Sequence, residues 1–441
     1  MKPTYHIIKS EIKNLITIFN AMKNIIQITM LTCIIFVLQS GLNAQTTDTI
    51  TMGASYADDV FYSLENGVVK AEPRNNWDLG FYTNRWSAGI IINDGTGVKL
   101  FAYPKGDTAA WSTMDTAGMN QWTNLYNSDT IWEDGAFNRN ALGHPDYGWG
   151  TYNMVSHDVI GDSLFILQRA DGSLKKVWIE RKNSVANTFY FKYADIDGQH
   201  EVTETLDATP YESKLFIYYS TTNQQLIDRE PEKTTWDLLF SKYAAIVYDS
   251  EGIASYYLVV GATSNVTDSI SRNHPVIEGF EDWSSTTLNG DKSTIGHDWK
   301  SFSMNTFSWE IEDSLAFFVK NTKGDIYKLV FDYFSGSSTG RAGFVKKLLS
   351  LSAVDEPVIK TSLTIFPNPA VHDVTILIDK FENNAATLKI YDQSGRLTYS
   401  EEKVASNNQL KINVSSIPDG LYILEIVNGN NAIRQKMMVK H

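Results

Sequence analysis

Histidine is the side chain best suited to do chemistry in this sequence, and its settings are poor for catalysis. His157 stands in Ser156-His157-Asp158, a run that suggests acid–base work, yet no partner spacing completes a triad. There is no Gly-rich phosphate loop, no His-Glu-x-x-His and no nucleophile elbow. Carboxylates suited to glycoside hydrolysis cannot be paired from sequence. Three more histidines lie beside Gly or Pro: His144 in Gly143-His144-Pro145-Asp146-Tyr147-Gly148-Trp149, His297 in Gly296-His297-Asp298-Trp299, and His274 before Pro275. A histidine so placed ordinarily faces solvent or caps a turn. The only cysteine, Cys33, lies inside an apolar N-terminal run, without the small-residue context that lipid attachment needs. A chain that sheds this run has no thiol, so disulfides, thiol catalysis and cysteine-ligated metals fall away together. The expectation is a binding protein rather than an enzyme.

The elements around these residues begin with an export signal. Lys23 precedes an apolar run from about Ile25 to Leu38, and Gln39-Ser40-Gly41-Leu42-Asn43-Ala44 follows. That order is a signal peptide's, with cleavage expected after Ala44. The run is shorter than the ~20 residues a membrane-spanning helix needs, and Met22-Lys23 is an alternative start for the signal. Residues 1–44 hold four Lys and one Glu, so their loss takes the formal charge from -13 to about -16. No basic face is left to displace counterions from phosphates, and nucleic acid is not an expected partner.

Beyond residue 46, short aromatic and β-branched stretches alternate with Gly, Asn and Asp, which reads as all-β. The chain also repeats itself. Asn76-Trp77-Asp78-Leu79-Gly80-Phe81 returns as Thr235-Trp236-Asp237-Leu238-Leu239-Phe240, with Glu72-Pro73 and Glu230-Pro231 ahead of each block. Trp149, Tyr152 and Met154 return as Trp299, Phe302 and Met304, and Asp162-Ser163-Leu164 as Asp313-Ser314-Leu315. These offsets of roughly 150 to 160 residues suit a duplicated domain. Two homologous antiparallel β-domains are expected, at 45–210 and 211–352. Within them Trp77, Leu79 and Phe81 should share a strand face, with Asp78 on a solvated one, and likewise for Trp236, Leu238, Phe240 and Asp237. Leu164–Gln168 with Leu174–Ile179, and Leu315–Val319 with Ile326–Phe331, read as hairpins. Repetition of Met154 and Met304 suggests core residues.

After a linker at 353–360 comes a compact module, 361–441, with strands expected at Leu363–Phe366, Val374–Ile378, Leu388–Asp392, Leu410–Val414, Leu421–Val427 and Ile433–Val439. Their regular spacing suits a small immunoglobulin-like sandwich.

The module resembles the C-terminal sorting domain of type IX secretion substrates of Bacteroidetes, through Leu363-Thr364-Ile365-Phe366-Pro367-Asn368-Pro369, Ile390-Tyr391-Asp392, Gly395-Arg396, Gly420-Leu421-Tyr422-Ile423 and the basic end Lys436-Met437-Met438-Val439-Lys440. The resemblance implies passage through the periplasm to the outer surface or the medium, with the type IX machinery as partner and lipopolysaccharide as a potential anchor. The two central domains resemble the HmuY family of haem-binding, haemophore-like proteins. The likeness runs through Tyr62-Ser63-Leu64, Gly67-Val68-Val69, Trp77-Asp78-Leu79, Leu164-Phe165-Ile166, Ala170-Asp171-Gly172 and Lys175-Lys176-Val177. It implies haem as cofactor and haem or a host haemoprotein as partner. By that resemblance His144 stands near one axial-ligand position, with Met114 and Met119 in the loop that would supply the other; His297 and His274 are the candidates in the second copy. Two readings without haem stand beside this: a surface module binding protein or glycan through its loops, and an enzyme acting on carbohydrate.

Overall fold

A computed structural model describes residues 45–351, 363–366, 368, 370–378, 385–392, 395–404, 409–428 and 431–441. The expected leader with Cys33 and the linker at 353–360 lie outside the described residues. Among those described, no helix is long and apolar enough to cross a membrane, and the helical segments are short 3-10 turns.

Residues 45–351 belong to one compact unit in which nine principal strands occur twice. The first repeat has β1 (Thr46–Thr51), β2 (Asp58–Ser63), β3 (Gly67–Pro73), β4 (Leu79–Tyr82), β5 (Ile90–Ile92), β6 (Lys99–Ala102), β7 (Phe165–Gln168), β8 (Leu174–Asn183) and β9 (Thr188–Asp195). The second has β10 (Val202–Asp207), β11 (Phe216–Ser220), β12 (Gln225–Ile227), β13 (Leu238–Tyr248), β14 (Ala254–Ser264), β15 (Ser269–Asn273), β16 (Ala316–Lys320), β17 (Ile326–Phe334) and β18 (Arg341–Ser350). Two sheets, β12-β11-β4-β5 and β10-β9-β8-β7-β6, make one sandwich; β3-β2-β13-β14 and β1-β18-β17-β16-β15 make the other in the same order. The expected hairpins are β7–β8 and β16–β17.

The two repeats do not each fold on themselves. Strand β4 pairs with β11 of the second repeat, while β13 pairs with β2 and β18 with β1 of the first. Each repeat gives its first three strands to its sister's sandwich. The boundary expected at 210/211 falls between β10 and β11, inside an exchanged segment, and no compact unit ends there. The chain passes between the sandwiches through residues 74–78, with a 3-10 turn at Arg74–Asn76, and through 228–237, so continuity of chain does not require continuity of sandwich.

Three apolar clusters hold this arrangement. Leu79, Phe81, Ile90, Phe165, Phe191 and Ile217 lie between the first pair of sheets. Leu238, Phe240, Phe317, Leu329, Phe344 and Ile50 lie between the second. The third, with Phe61, Trp77, Phe216, Tyr218 and Trp236, draws on the outer faces of both four-stranded sheets. Here Trp77 meets Tyr218 edge-on at 4.8 Å and its counterpart Trp236 meets Phe61 at 5.2 Å. The tryptophans thus depart from the face expected for them: a bend at Asp78 and Asp237 turns Trp77 and Trp236 away from Leu79–Phe81 and Leu238–Phe240.

Those aspartates are buried, contrary to a solvated strand face. Asp78 Oδ2 accepts from the Thr221 N–H and hydroxyl, each at 2.7 Å, and Asp237 Oδ2 accepts from the Leu64 N–H at 2.6 Å. Each carboxylate satisfies the turn that follows the strand donated by the other repeat, which supplies the hydrogen bonds a buried acid needs. Alternation predicts only which side a residue takes, and here that side faces the sister repeat's chain.

Burial raises the pKa of several acids toward or past neutrality. Asp268, sealed from water beside Asp237, is pushed up to about 9, Glu230 up to about 7 and Asp237 up to about 6. Burial pushes Lys182 and Lys300 down to about 7. Acids with raised pKa values lend stability below their unfolded values and lose it as pH rises through the folded ones; depressed lysines lend it above ~10.5 and lose it as pH falls through theirs. Urea midpoints are therefore expected to fall from about pH 5 to about pH 7, then recover toward about pH 9.5, where two lysines outweigh the one acid still titrating. A midpoint that climbs from the acid side to neutrality contradicts this.

The tail, described by itself, pairs β19 (Leu363–Phe366), β20 (Asp373–Ile378) and β23 (Gln409–Asn413) in one sheet. β22 (Leu397–Val404), β21 (Ala385–Tyr391), β24 (Gly420–Asn428) and β25 (Asn431–Val439) form the other. Val374, Ile376, Leu388, Ile390, Ile412, Leu424 and Val439 join both sheets in one core. Six strands fall where the apolar runs put them. The seventh, β22, reads Leu397-Thr398-Tyr399-Ser400-Glu401-Glu402-Lys403-Val404, too polar to announce itself, and is held as an edge strand by pairing with β21.

Candidate functional site

Between β6 and β7 the chain runs through a long excursion that ends in a hairpin, Gly150–Tyr152 with Asp158–Gly161. The second repeat has the same hairpin between β15 and β16, Lys300–Ser303 with Ser308–Ile311. Each is rooted by a wholly buried tryptophan, Trp149 or Trp299, so its base is fixed in a sandwich core.

The tips are the unexpected part. Met154 and Met304, expected in the core, are 73% and 71% exposed. The recurrence that suggested packing marks the same projecting turn in both repeats. Val155 beside Met154 is 92% exposed, and Phe307, three residues after Met304 in the same turn, is 75% exposed. Isolated exposed apolar residues are ordinary; the same turn carrying two of them in both copies is not. Both turns also hold a non-glycine residue at positive φ, His157 at 60° and Phe307 at 50°. That conformation disfavours a large side chain and is concentrated at functional positions. In the first tip it is secured by the Asn153 side chain, which accepts from the N–H groups of Val155 and Ser156, and by the His157 N–H bonded to Asn153 O.

The sequence candidates distribute around this geometry. His144 is exposed beside the first hairpin, its ring 5.4 Å from Tyr152 and 6.3 Å from Tyr147. The Tyr152 hydroxyl in turn reaches His157 Nδ1 at 2.6 Å. Met114 is buried, and Met119 partly buried, in a satellite cluster with Phe101, Tyr103, Leu164 and Ile166 under the loop after β6. Phe101 and Ile166 alternate with Leu100, Phe165 and Leu167, which face the sandwich core that Tyr147 and Tyr152 flank. Met114 thus packs on the face of the β6–β7 pair turned away from the sandwich core, whereas His144 is exposed against the two tyrosines that flank that core. In the second repeat His274 Nε2 lies 3.1 Å from Glu312, whereas His297 is largely withdrawn from water, which lowers its pKa and favours neutral imidazole. His297 O accepts from the Lys300 ammonium at 3.1 Å. Of the candidates, only His144 stands beside a projecting tip in the first repeat. The tips themselves escaped sequence reading; the signal was present in Met-Val and Met-Asn-Thr-Phe set between Asn, Ser and Thr, a composition typical of turns rather than cores.

No curated protein matches the chain. Similar solved structures include dimeric latent PorU from Porphyromonas gingivalis, 11% identical with a TM-score of 0.15, covering 89% of this chain and 34% of that one. The BSP domain of a biofilm associated protein is 10% identical with a TM-score of 0.17, covering 90% and 81%. The chain spans about a third of the first of these, and likenesses this slight say nothing of fold or function. Residues 364–440 match the family described as secretion system C-terminal sorting domain, so the chain carries a type IX sorting tail and is exported to the cell surface or the medium.

Proposed function

We propose that this is a surface or secreted binding protein that engages a polypeptide partner through the two hairpin tips. The observation that carries the reading is the paired exposure of Met154-Val155 and Met304 with Phe307 on turns held at positive φ. Apolar side chains kept in water on rooted, hydrogen-bonded turns gain stability only when covered. Flexible methionine with an aliphatic or aromatic neighbour suits an irregular apolar protein surface better than a glycan. The haem reading calls for two iron ligands on opposite sides of one slot; with Met114 packed under the loop after β6 and His144 exposed beside the first hairpin, the polypeptide reading is favoured. A haemin titration separates the two, because a sharpened Soret band weakened by His144→Ala belongs to haem alone.

A photo-crosslinking amino acid at Val155 or at Phe307, in cells that export the chain, should trap the same discrete adduct from both positions. The same group at Glu251, an exposed turn residue, should trap none. Met154→Ser and Met304→Ser should reduce the adduct while shifting stability by no more than ~0.5 kcal/mol, as for other exposed positions. Equal labelling at Glu251, or none at either tip, overturns the proposal.

A further inference from the structure

The two sandwiches enclose a second feature that the hairpins do not use. A cavity of about 80 Å³ lies between the four-stranded sheets, with Asp59, Arg74, Trp77, Arg229, Tyr243 and Lys292 in its wall. Room of this size holds a few waters or one small ion and is far below the ~300–1,000 Å³ of pockets for larger molecules. Arg229 is 2% exposed, Asp59 4%, Arg74 6% and Trp77 9%. Arg229 and Asp59 make a buried ion pair at 2.9 Å. Even so, Arg229 Nε, Arg74 Nη1, Trp77 Nε1 and the Tyr243 hydroxyl find no hydrogen-bond partner among the described residues, against one carboxylate oxygen of the wall, Asp59 Oδ1. Buried polar atoms left unmatched are costly, and the unmatched set is rich in donors.

We propose that this cavity binds a small oxyanion, a carboxylate or a phosphate, held by Arg74, Arg229 and the Trp77 indole N–H. The charge balance favours an anion: Arg74, Arg229, Lys242 and Lys292 face Asp59 and Asp94. Asp94 is already served, accepting from Asn127 Nδ2 at 2.9 Å, and the Lys292 ammonium lies 4.4 Å from the Trp132 ring centroid. Glu230, behind the wall, accepts from the Leu215 and Phe216 N–H groups and the Tyr218 hydroxyl. Two guanidinium groups and an indole N–H in one buried wall are a donor set suited to oxyanion oxygens. The site is peculiar to one side of the duplication. Glu72-Pro73 and Glu230-Pro231 correspond, which sets Ala71 opposite Arg229, so the scaffold folds at the equivalent place without this arginine. Lys242 and Tyr243 are partly buried as residues, with the Tyr243 hydroxyl itself sealed from water. Because the wall draws on both repeats, an ion held there ties the two sandwiches together, independently of any partner at the tips.

Thermal unfolding of the full chain, at constant ionic strength, tests this with phosphate, acetate and chloride. Phosphate or acetate should raise the melting temperature in a saturable manner, chloride much less, and the better of the two identifies the headgroup. Trp77→Phe, which removes the N–H and keeps an aromatic ring, and Arg74→Met should each weaken the response roughly tenfold or more, as for a lost hydrogen bond to a charged group. If Arg74→Met fails to fold, Trp77→Phe carries the test alone. No saturable response to either oxyanion, or an unchanged response in Trp77→Phe, overturns the proposal.

Discussion

A chain beginning at Gly53 is expected to lose cooperative folding of the whole duplicated region, although only eight of its described residues are gone. Strand β1 is the outer strand of a five-stranded sheet and pairs over six positions with β18, almost three hundred residues later. Ile50 and Met52 are each 1% exposed, and burying each is worth about 1.5–3 kcal/mol. Asp48 accepts from the Tyr62 hydroxyl at 2.6 Å, and Tyr62 accepts from the Lys346 ammonium at 2.6 Å; removing Asp48 leaves that buried hydroxyl without its acceptor. The summed loss approaches the about 5–15 kcal/mol by which a domain is ordinarily stable. Urea unfolding of the chain from residue 45 and from residue 53 checks this, and a synthetic peptide spanning 45–57 should restore part of the transition in trans. Coincident transitions for the two chains rule the closure role out. The sheet cannot close before β18 is available, so this contact is among the least local in the fold and a slow one to form.

Arg229→Met is expected to cost about 3–5 kcal/mol, since it strips the partner from a carboxylate buried at the interface of the two sandwiches. Asp59 is 4% exposed, and burial already pushes its pKa up, opposed by Arg229 and then Arg74. The double variant Arg229→Met with Asp59→Leu should recover at least about half of the loss, because no charge is then left without its mate. Urea midpoints for the two single variants and the double variant make the cycle. Additive losses would show that the pair acts as two separate packing residues. The cycle also bears on exchange: Arg229 follows β12, whereas Asp59 is the second residue of β2, so the bond fastens strands donated in opposite directions.

Much of this architecture was legible. Short aromatic runs between Gly and Asn gave all-β, and the tail's evenly spaced apolar strands placed six of seven, because a sandwich strand needs its inward residues at every second position. The repeat of Trp-Asp-Leu located β4 and β13. The same comparison extended upstream would have matched Tyr62-Ser63 with Tyr219-Ser220, and Asn66 with Asn223. That match reveals the segment each repeat lends to the other, but not that it is lent. The site was less legible. His144, Met114 and Met119 lie within one stretch of chain, yet alternation along β6 and β7 separates the faces they serve, and a repeated methionine looks the same whether it fills a core or crowns a turn.

What the amino-acid order decides alone is local: strand periodicity, turn chemistry, the duplicated unit, the sorting tail and the acidic charge balance. Which strands complete which sandwich was settled only by tertiary structure, and so were the depth of Asp78 and Asp237, the projection of Met154 and Met304, and the meeting of Arg74, Arg229 and Asp59. Two equivalent repeats present the same edges and the same apolar faces, so pairing within a repeat and pairing with its sister satisfy the same pattern. The choice between them is made by loop reach and by side chains far apart in sequence, which no window along the chain contains.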